Sequence, residues 1–261
     1  MTERKLVVVV GLGEVGRPLL HILSNRFDCA GIDIEPVILE DQCSVLHICY
    51  PYQIKGFVDV TAEYVRRLRP ELTIIHSSVP PGTTREVETA LGDPLLAYSP
   101  VRGKHARMEK EMMRYRKFVA ALRPDALQAA REHLSQAGFH TETLPSPEIA
   151  ELAKLLETTS LGMLIAWAQE MERLAAVYGG TFNDVNGFIK EVSFLPSHIF
   201  PGVIGGHCVM PNIELLRSRL ESQFLDLVVE SNLLKSRMPV VTAEGDINYE
   251  NRTDRVGILG A

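Results

Sequence analysis

Three glycines at Gly11, Gly13 and Gly16 sit between a β-branched run, Lys5 to Val10, and a stretch with the apolar spacing of a helix, Arg17 to Ser24. In that place G-x-G-x-x-G has mechanical meaning. The first glycine allows a tight turn, the second lets backbone approach a pyrophosphate, and the third lets helix and strand pack closely, with the helix N-terminus facing the anion. Glu14 and Val15 lie within the same turn. Asp33 follows 17 residues after Gly16 at the end of a second strand read at 27–34, where a carboxylate accepts hydrogen bonds from ribose hydroxyls and repels a 2′-phosphate. The expected cofactor is therefore NAD rather than NADP. Two other readings compete: a glycine turn that only reverses the chain while Asp33 caps a loop, and a SAM-binding domain, which also uses a glycine turn and an acidic residue after its second strand.

Such a turn works only on a sheet. A third strand is expected over Ser44 to Tyr50, ending at Pro51, and further strands over Leu72 to Ser77 and Lys117 to Leu122. Helices are expected to close at Tyr64 to Arg69 and to span Thr84 to Leu91 and Asp125 to Ala137. Alternation of β and α predicts an α/β fold with a Rossmann-like, doubly wound parallel sheet. Only about ten residues separate Asp33 from the third strand, too few for another βα unit, so the sheet is abbreviated.

From Pro147 the pattern changes. Glu148 to Tyr178 contains no proline, and Ile149, Leu152, Leu156, Met163, Trp167 and Leu174 recur at helical spacing, predicting a helix of about 45 Å that stops at Gly179-Gly180. A loop rich in Phe, Pro and Gly follows from Phe194 to Pro211, and helical spacing resumes over Ile213 to Leu234. The expected organisation is a dinucleotide-binding domain over 1–145, a helical domain with a long central helix over 146–236, and a tail over 237–261. Neither helix could bury its apolar face alone, so the helical domain is expected to cover the sheet domain or to build a homodimer.

Composition narrows the function. The 261 residues carry 27 basic and 33 acidic side chains, a formal charge of -6, with 46% hydrophobic residues, and mean hydropathy is +0.04. This gives no electrostatic footprint for nucleic acid or an anionic membrane. No apolar run approaches the roughly 20 residues of a membrane span, and no secretory pattern precedes the first strand, so a cytoplasmic protein acting on a small molecule is expected. Cys29, Cys43, Cys49 and Cys208 show no CxxC spacing, which predicts free thiols and no metal site.

Four further stretches resemble the UDP-glucose/GDP-mannose dehydrogenase family. His76-Ser77-Ser78-Val79-Pro80-Pro81-Gly82-Thr83-Thr84 is similar to its S-[ST]-V-x-P-G-T-T turn, and Tyr98-Ser99-Pro100 to the start of its Y-S-P-E-R. Ala150-Glu151-Leu152-Ala153-Lys154 opens like its A-E-x-x-K-x-x-x-N helix, and Pro201-Gly202-Val203-Ile204-Gly205-Gly206-His207-Cys208 resembles its G-P-G-x-G-G-H-C loop. The resemblance implies an NAD-dependent, two-step oxidation of a primary alcohol to a carboxylate, in which Cys208 attacks the aldehyde intermediate and passes through a thioester while Lys154 stabilises the oxyanion. A thiolate is a strong nucleophile, and a glycine-rich loop lets N–H groups approach a developing oxyanion. Tyr50, Pro51, Ser78 and Val79, after the third and fourth strands, join the cofactor-binding set.

The matches are incomplete. Thr158 stands where the family has Asn, Asn212 where it has Asp, and Val101 where Y-S-P-E-R has Glu. Neither an amide nor an isopropyl group can act as a general base, so hydrolysis of a thioester is expected to be impaired. Thr158 and Asn212 stay in the catalytic set with Cys208 and Lys154, and His207 and His105 are the available substitutes. Arg255 to Ala261 resembles the first strand of the family's third domain, and a short member without that nucleotide-binding domain is expected. Two alternatives remain: a two-electron β-hydroxyacid-type dehydrogenase in which Lys154 is the acid/base and Cys208 is incidental, and a non-catalytic NAD- or SAM-binding protein, with a methyltransferase as its enzymatic variant.

Overall fold

The computed structural model describes residues 5–33, 42–196, 198–206, 208–238, 240–241 and 247–248. It divides into two compact units, Met1–Lys154 and Leu155–Ala261.

The first unit is the expected α/β sheet. Its elements are β1 (Lys5–Val10), α1 (Gly16–Ser24), β2 (Cys29–Ile32), β3 (Gln42–Ile48), α2 (Phe57–Leu68), β4 (Leu72–Ile75), α3 (Thr83–Leu91), β5 (Leu96–Tyr98), α4 (Met108–Arg114), β6 (Lys117–Ala121), α5 (Pro124–Gln136) and β7 (Thr141–Thr143). Strand order is β2-β1-β3-β4-β5-β6-β7. All pairs are parallel except β5 with β6, which run antiparallel with Tyr98 opposite Ala120. The sheet is thus mostly parallel, as the alternation of β and α predicted, with one antiparallel junction among the described residues. The seven-residue α4 buries Met108 and Met112 against the α1 side of the sheet instead of forming a full crossover helix. As a result β6 enters the sheet from the carboxyl edge of β5, and Lys117 starts there.

Alternation builds two cores. Val7 and Val9 pack with Leu19, Leu23 and Leu134 on one face, and Val8 and Val10 with Phe57, Val87 and Tyr98 on the other. Successive strand residues point to opposite faces, so one valine run supplies both. Ile34, Val37 and Leu39, and the strand read at 255–261, lie outside the described residues.

A single helix, α6 (Pro147–Val177), begins in the first unit and ends in the second; its 31 residues give about 46 Å. The second unit adds α7 (Phe182–Lys190), α8 (Val209–Arg217), α9 (Gln223–Arg237) and the short strands β8 (Val240–Val241) and β9 (Ile247–Asn248). The helix read at 213–234 is two helices, and α8 starts two residues before Pro211. A proline in a helix's first turn forfeits only an N–H that has no intrahelical partner. Helix α7 was not read from the sequence; a reciprocal cap between Thr181 and Asp184 starts it.

The apolar stripe read on α6 does not form its buried face. Ile149, Leu156, Met163, Trp167 and Leu174 are exposed, Trp167 at 58%, whereas Ala150, Glu151, Leu155, Thr159, Ala166 and Gln169 are buried. The buried face mixes Leu155 and Ile165 with small and polar residues, and most of the large apolar residues read as the stripe lie outside it.

Candidate active site

In the first unit the turn after β1 meets the turn after β3, on either side of the point where strand order reverses, the place where open α/β sheets bind ligands. Gly11 has φ +90°, and a Cβ there would lie 2.5 Å from the Tyr50 backbone nitrogen. A Cβ on Gly16 would lie 1.8 Å from the Gly11 carbonyl oxygen. At Gly13 a Cβ would meet nothing within 4 Å. Two glycines thus let backbone touch backbone, and the third faces an open cradle. Helix α1 begins beside it with Val15 at the N-cap, no side-chain cap and no acidic residue in its first turn; the Arg17 N–H is taken by the Gly13 carbonyl at 3.2 Å and Pro18 has none, so what the turn offers an anion is the positive end of the helix dipole. Glu14 is exposed at this turn, and Asp33 is exposed just beyond β2. This arrangement fits a dinucleotide, with the pyrophosphate over Gly13 and a ribose at Asp33.

The other cofactor candidates divide. Pro51 is exposed and Ser78 half-buried at the carboxyl edge. The Tyr50 ring turns into the core, where its hydroxyl pairs with Thr61 Oγ1 at 2.6 Å, so what Tyr50 brings to the crevice is backbone. Val79 is fully buried in the same core and backs the crevice without opening on it.

Glu151 is not the surface carboxylate that its place beside Lys154 suggests. It is fully buried. It accepts hydrogen bonds from Gly82 N at 2.6 Å, Thr84 N at 2.8 Å and Thr84 Oγ1 at 2.6 Å, capping α3. Burial nonetheless pushes its pKa up to about 7. The P-P-G-T-T turn and the A-E-x-x-K helix are therefore one device, which fixes the start of α6 and so places half-buried Lys154. Glu151→Ala strands three donors, and an unsatisfied buried donor costs about 1–3 kcal/mol. Urea unfolding should show a loss of about 3 kcal/mol or more, only partly recovered by Glu151→Gln, whose amide N–H₂ meets the Gly82 N–H. A loss below about 1 kcal/mol would contradict this role.

In the second unit the structure brings Thr158 and Asn212 together. Asn212 is buried and its Nδ2 donates to Thr158 Oγ1 at 2.8 Å, while Thr158 Oγ1 donates to the Leu155 carbonyl at 3.0 Å. With its proton on Leu155, the threonine needs a donor opposite, which an amide supplies and a carboxylate does not. Thr158 and Asn212 thus form a matched acceptor and donor. Cys208 is half-buried at the N-cap of α8, one turn before Asn212. A helix N-terminus carries partial positive charge, an environment that suits an anionic sulfur. Burial pushes the Cys43 and Cys49 thiols up to about 12 and raises that of Cys29. The loop before Cys208 is held by Gln169 Nε2 donating to the Gly202 carbonyl at 2.7 Å, and by Asn232, which accepts from Ile204 N at 2.7 Å and donates to its carbonyl at 3.0 Å. His207 and the His105 side chain lie outside the described residues.

Val101 is buried among Met108, Met112 and Val119. Val101 therefore belongs to the core of the first unit.

A polar group that the sequence reading missed lies under the carboxyl edge: His47, His76, His133 and Lys117, all buried. The one signal was a histidine inside the apolar run Ser44 to Ile48.

The first unit is thus a Rossmann-like dinucleotide-binding domain by sheet order, turn and helix start. Residues 148–236 match the sequence model of the UDP-glucose/GDP-mannose dehydrogenase family, central domain. The matched segment is the one on which the Lys154 and Cys208 motifs were read. A UDP-N-acetyl-D-mannosamine dehydrogenase of Pyrococcus horikoshii is 26% identical over 292 aligned positions, covering 91% of this chain and 69% of the relative. The solved UDP-D-ManNAc dehydrogenase from Pyrococcus horikoshii superposes with a TM-score of 0.76 at 20% identity, over 88% of this chain and 69% of that one. A Mycobacterium tuberculosis 3-hydroxyisobutyrate dehydrogenase gives 0.63 at 14% identity, over 95% of this chain and 97% of that one.

Proposed function

We propose that this chain is an NAD-dependent dehydrogenase acting on an alcohol or aldehyde of a small-molecule substrate related to the nucleotide sugars. The observation that carries the reading is the open cradle at Gly13 beside the uncapped start of α1, with Asp33 at the ribose end. Bound NAD supplies a hydride acceptor. The protein orients it with backbone N–H groups, and Asp33 selects against a 2′-phosphate. Lys154, set by the Glu151 anchor, polarises the substrate oxygen and takes part in its proton transfer. Cys208, at the start of α8, is the nucleophile toward an aldehyde.

Buried Val101 and the engaged Asn212 amide leave neither matched position able to activate water. The reaction is accordingly proposed to stop at two electrons, or to turn a covalent adduct over slowly. The same observations support the second reading, a β-hydroxyacid-type dehydrogenase in which Cys208 is incidental.

The proposal includes the domain limits 1–145, 146–236 and 237–261, a cytoplasmic location, and a homodimer. The outward apolar face of α6 around Trp167 supports the dimer. No helix among the described residues is long and apolar enough to cross a membrane.

Calorimetric titration with NAD, NADP and SAM tests the cofactor assignment. NAD is expected to bind more tightly than NADP, with no saturable SAM binding. NADP binding equal to or tighter than NAD would overturn the role of Asp33, and SAM binding without NAD would overturn the dehydrogenase reading.

A further inference from the structure

Four basic side chains run beneath the carboxyl edge of the first unit. They are Lys117 at the start of β6, His76 just after β4, His47 on β3 and His133 on α5, with 3%, 2%, 0% and 7% of their surface exposed. Lys117 Nζ lies 3.2 Å from His76 Nδ1, His76 Nε2 lies 2.8 Å from His47 Nδ1, and His47 Nε2 lies 3.0 Å from His133 Nε2. Each contact is nitrogen to nitrogen, so each takes one proton from one partner.

Two hydrogen-bond patterns satisfy the run. With Lys117 a neutral amine, Nζ donates to the Ser99 and Pro100 carbonyls at 2.8 and 2.9 Å and accepts from His76 Nδ1–H. His76 Nε2 then accepts from His47 Nδ1–H, and His47 Nε2 from His133 Nε2–H. With Lys117 an ammonium, every one of the nitrogen-to-nitrogen bonds reverses. The patterns differ by one proton, gained at His133 Nδ1 and delivered at Lys117 Nζ as each ring hands its other proton onward. No ring is left charged. The 2.6 Å contact between His76 Nδ1 and the Ser99 carbonyl requires a proton on Nδ1, so the structure holds the neutral-amine pattern.

We propose that Lys117, His76, His47 and His133 form a proton path between the carboxyl edge of the sheet and the α5 side of the domain, and that it carries away the proton an oxidised alcohol releases. The second half rests on the dehydrogenase reading. When an alcohol and NAD give a carbonyl and NADH, the hydride takes both electrons and one proton remains. With its three rings in the tautomers of the ammonium pattern, a neutral Lys117 takes up that proton as Lys154 passes it on; the reversal to the neutral-amine pattern then releases one proton at His133 Nδ1, and before the next turnover each ring returns its proton to its other nitrogen.

The surroundings suit transit. Burial pushes Lys117 down to about 7; Cys49 at the end of β3 opposes this, and the charges of Lys154 on α6 and Arg102 after β5 add to it. Burial also holds His47 and His76 well below the usual imidazole range and His133 at about 4, so the rings pass a proton without keeping it. His133 is fixed by stacking on Phe27, with ring centroids 4.7 Å apart. The three rings meet edge to edge, and among the described residues no group of His, Cys, Asp and Glu is placed to hold a metal ion.

The test is the long-range imidazole nitrogen–proton spectrum of the ¹⁵N-labelled full chain from about pH 6 to about pH 9. Above the midpoint His76 and His47 should carry their protons on Nδ1 and His133 on Nε2; below it all three should exchange nitrogens together. In Lys117→Met the rings should stay in the first pattern. His133→Phe keeps a ring against Phe27 but leaves His47 Nε2–H without an acceptor, and should lower the midpoint at His47 and His76 by about one pH unit. Rings that keep one tautomer throughout, or exchange at separate midpoints, would overturn the path whether or not the chain turns over substrate. The catalytic half has its own readout. The rise of NADH formation with pH should follow the tautomer midpoint and move with it in His133→Phe, and an unmoved profile with the exchange intact would overturn that half alone.

Discussion

A Gly13→Val chain is expected to unfold in urea as the wild type does and to bind NAD at least about a hundredfold more weakly. The two effects separate because of where the side chain goes. A Cβ at residue 13 meets no protein atom within 4 Å, so the fold has room for it. The space it enters is the cradle beside the first turn of α1, where a valine displaces the pyrophosphate and overpacking alone costs about 1–3 kcal/mol. Gly16→Ala is the contrasting lesion. Its Cβ would lie 1.8 Å from the Gly11 carbonyl oxygen, so strand and helix must move apart and stability must fall. Unimpaired NAD binding by Gly13→Val would place the cofactor elsewhere.

The sheet and its glycine turn were legible in the sequence because their signals are local. Valines that alternate between two cores, three glycines in one turn and a carboxylate at a strand end each act within a few residues. The resemblance motifs located Lys154 and Cys208 on the same grounds. What stayed hidden depends on distant partners. Glu151 reads as a surface charge on an amphipathic helix until α3 is placed against it, 67 positions away from Thr84 in sequence. The histidine contacts span 29 and 86 positions, and no periodicity announces them. Strand β5 has only three residues, too few to show alternation. On α6 the pattern itself misled. Large apolar residues at helical spacing predicted the buried face, but Leu155 and Ile165 are buried together with Glu151, Thr159 and Gln169, and Trp167 is exposed.

Lys154→Met should lower the rate of NADH formation by about 10²- to 10⁴-fold, the range associated with losing a positioned proton-transfer group. NAD affinity and unfolding should be nearly unchanged, because Glu151 and not Lys154 anchors the start of α6. Cys208→Ser separates the two dehydrogenase schemes. If the thiol attacks an aldehyde, oxidation of the aldehyde is lost while oxidation of the alcohol persists. In the β-hydroxyacid-type scheme both parameters stay near wild type. A Lys154→Met enzyme that forms NADH at the wild-type rate would remove the lysine from the chemistry.

The most direct measurement is the count of NADH formed per substrate when the wild-type chain and NAD are mixed with a panel of nucleotide-sugar alcohols and 3-hydroxy acids. Oxidation of one of them with a single equivalent of NADH, in a fast phase, is the predicted result. Two equivalents formed rapidly with release of a carboxylate would contradict the loss of water activation read from Val101 and Asn212, and NAD binding without NADH from any member of the panel would contradict the dehydrogenase assignment itself.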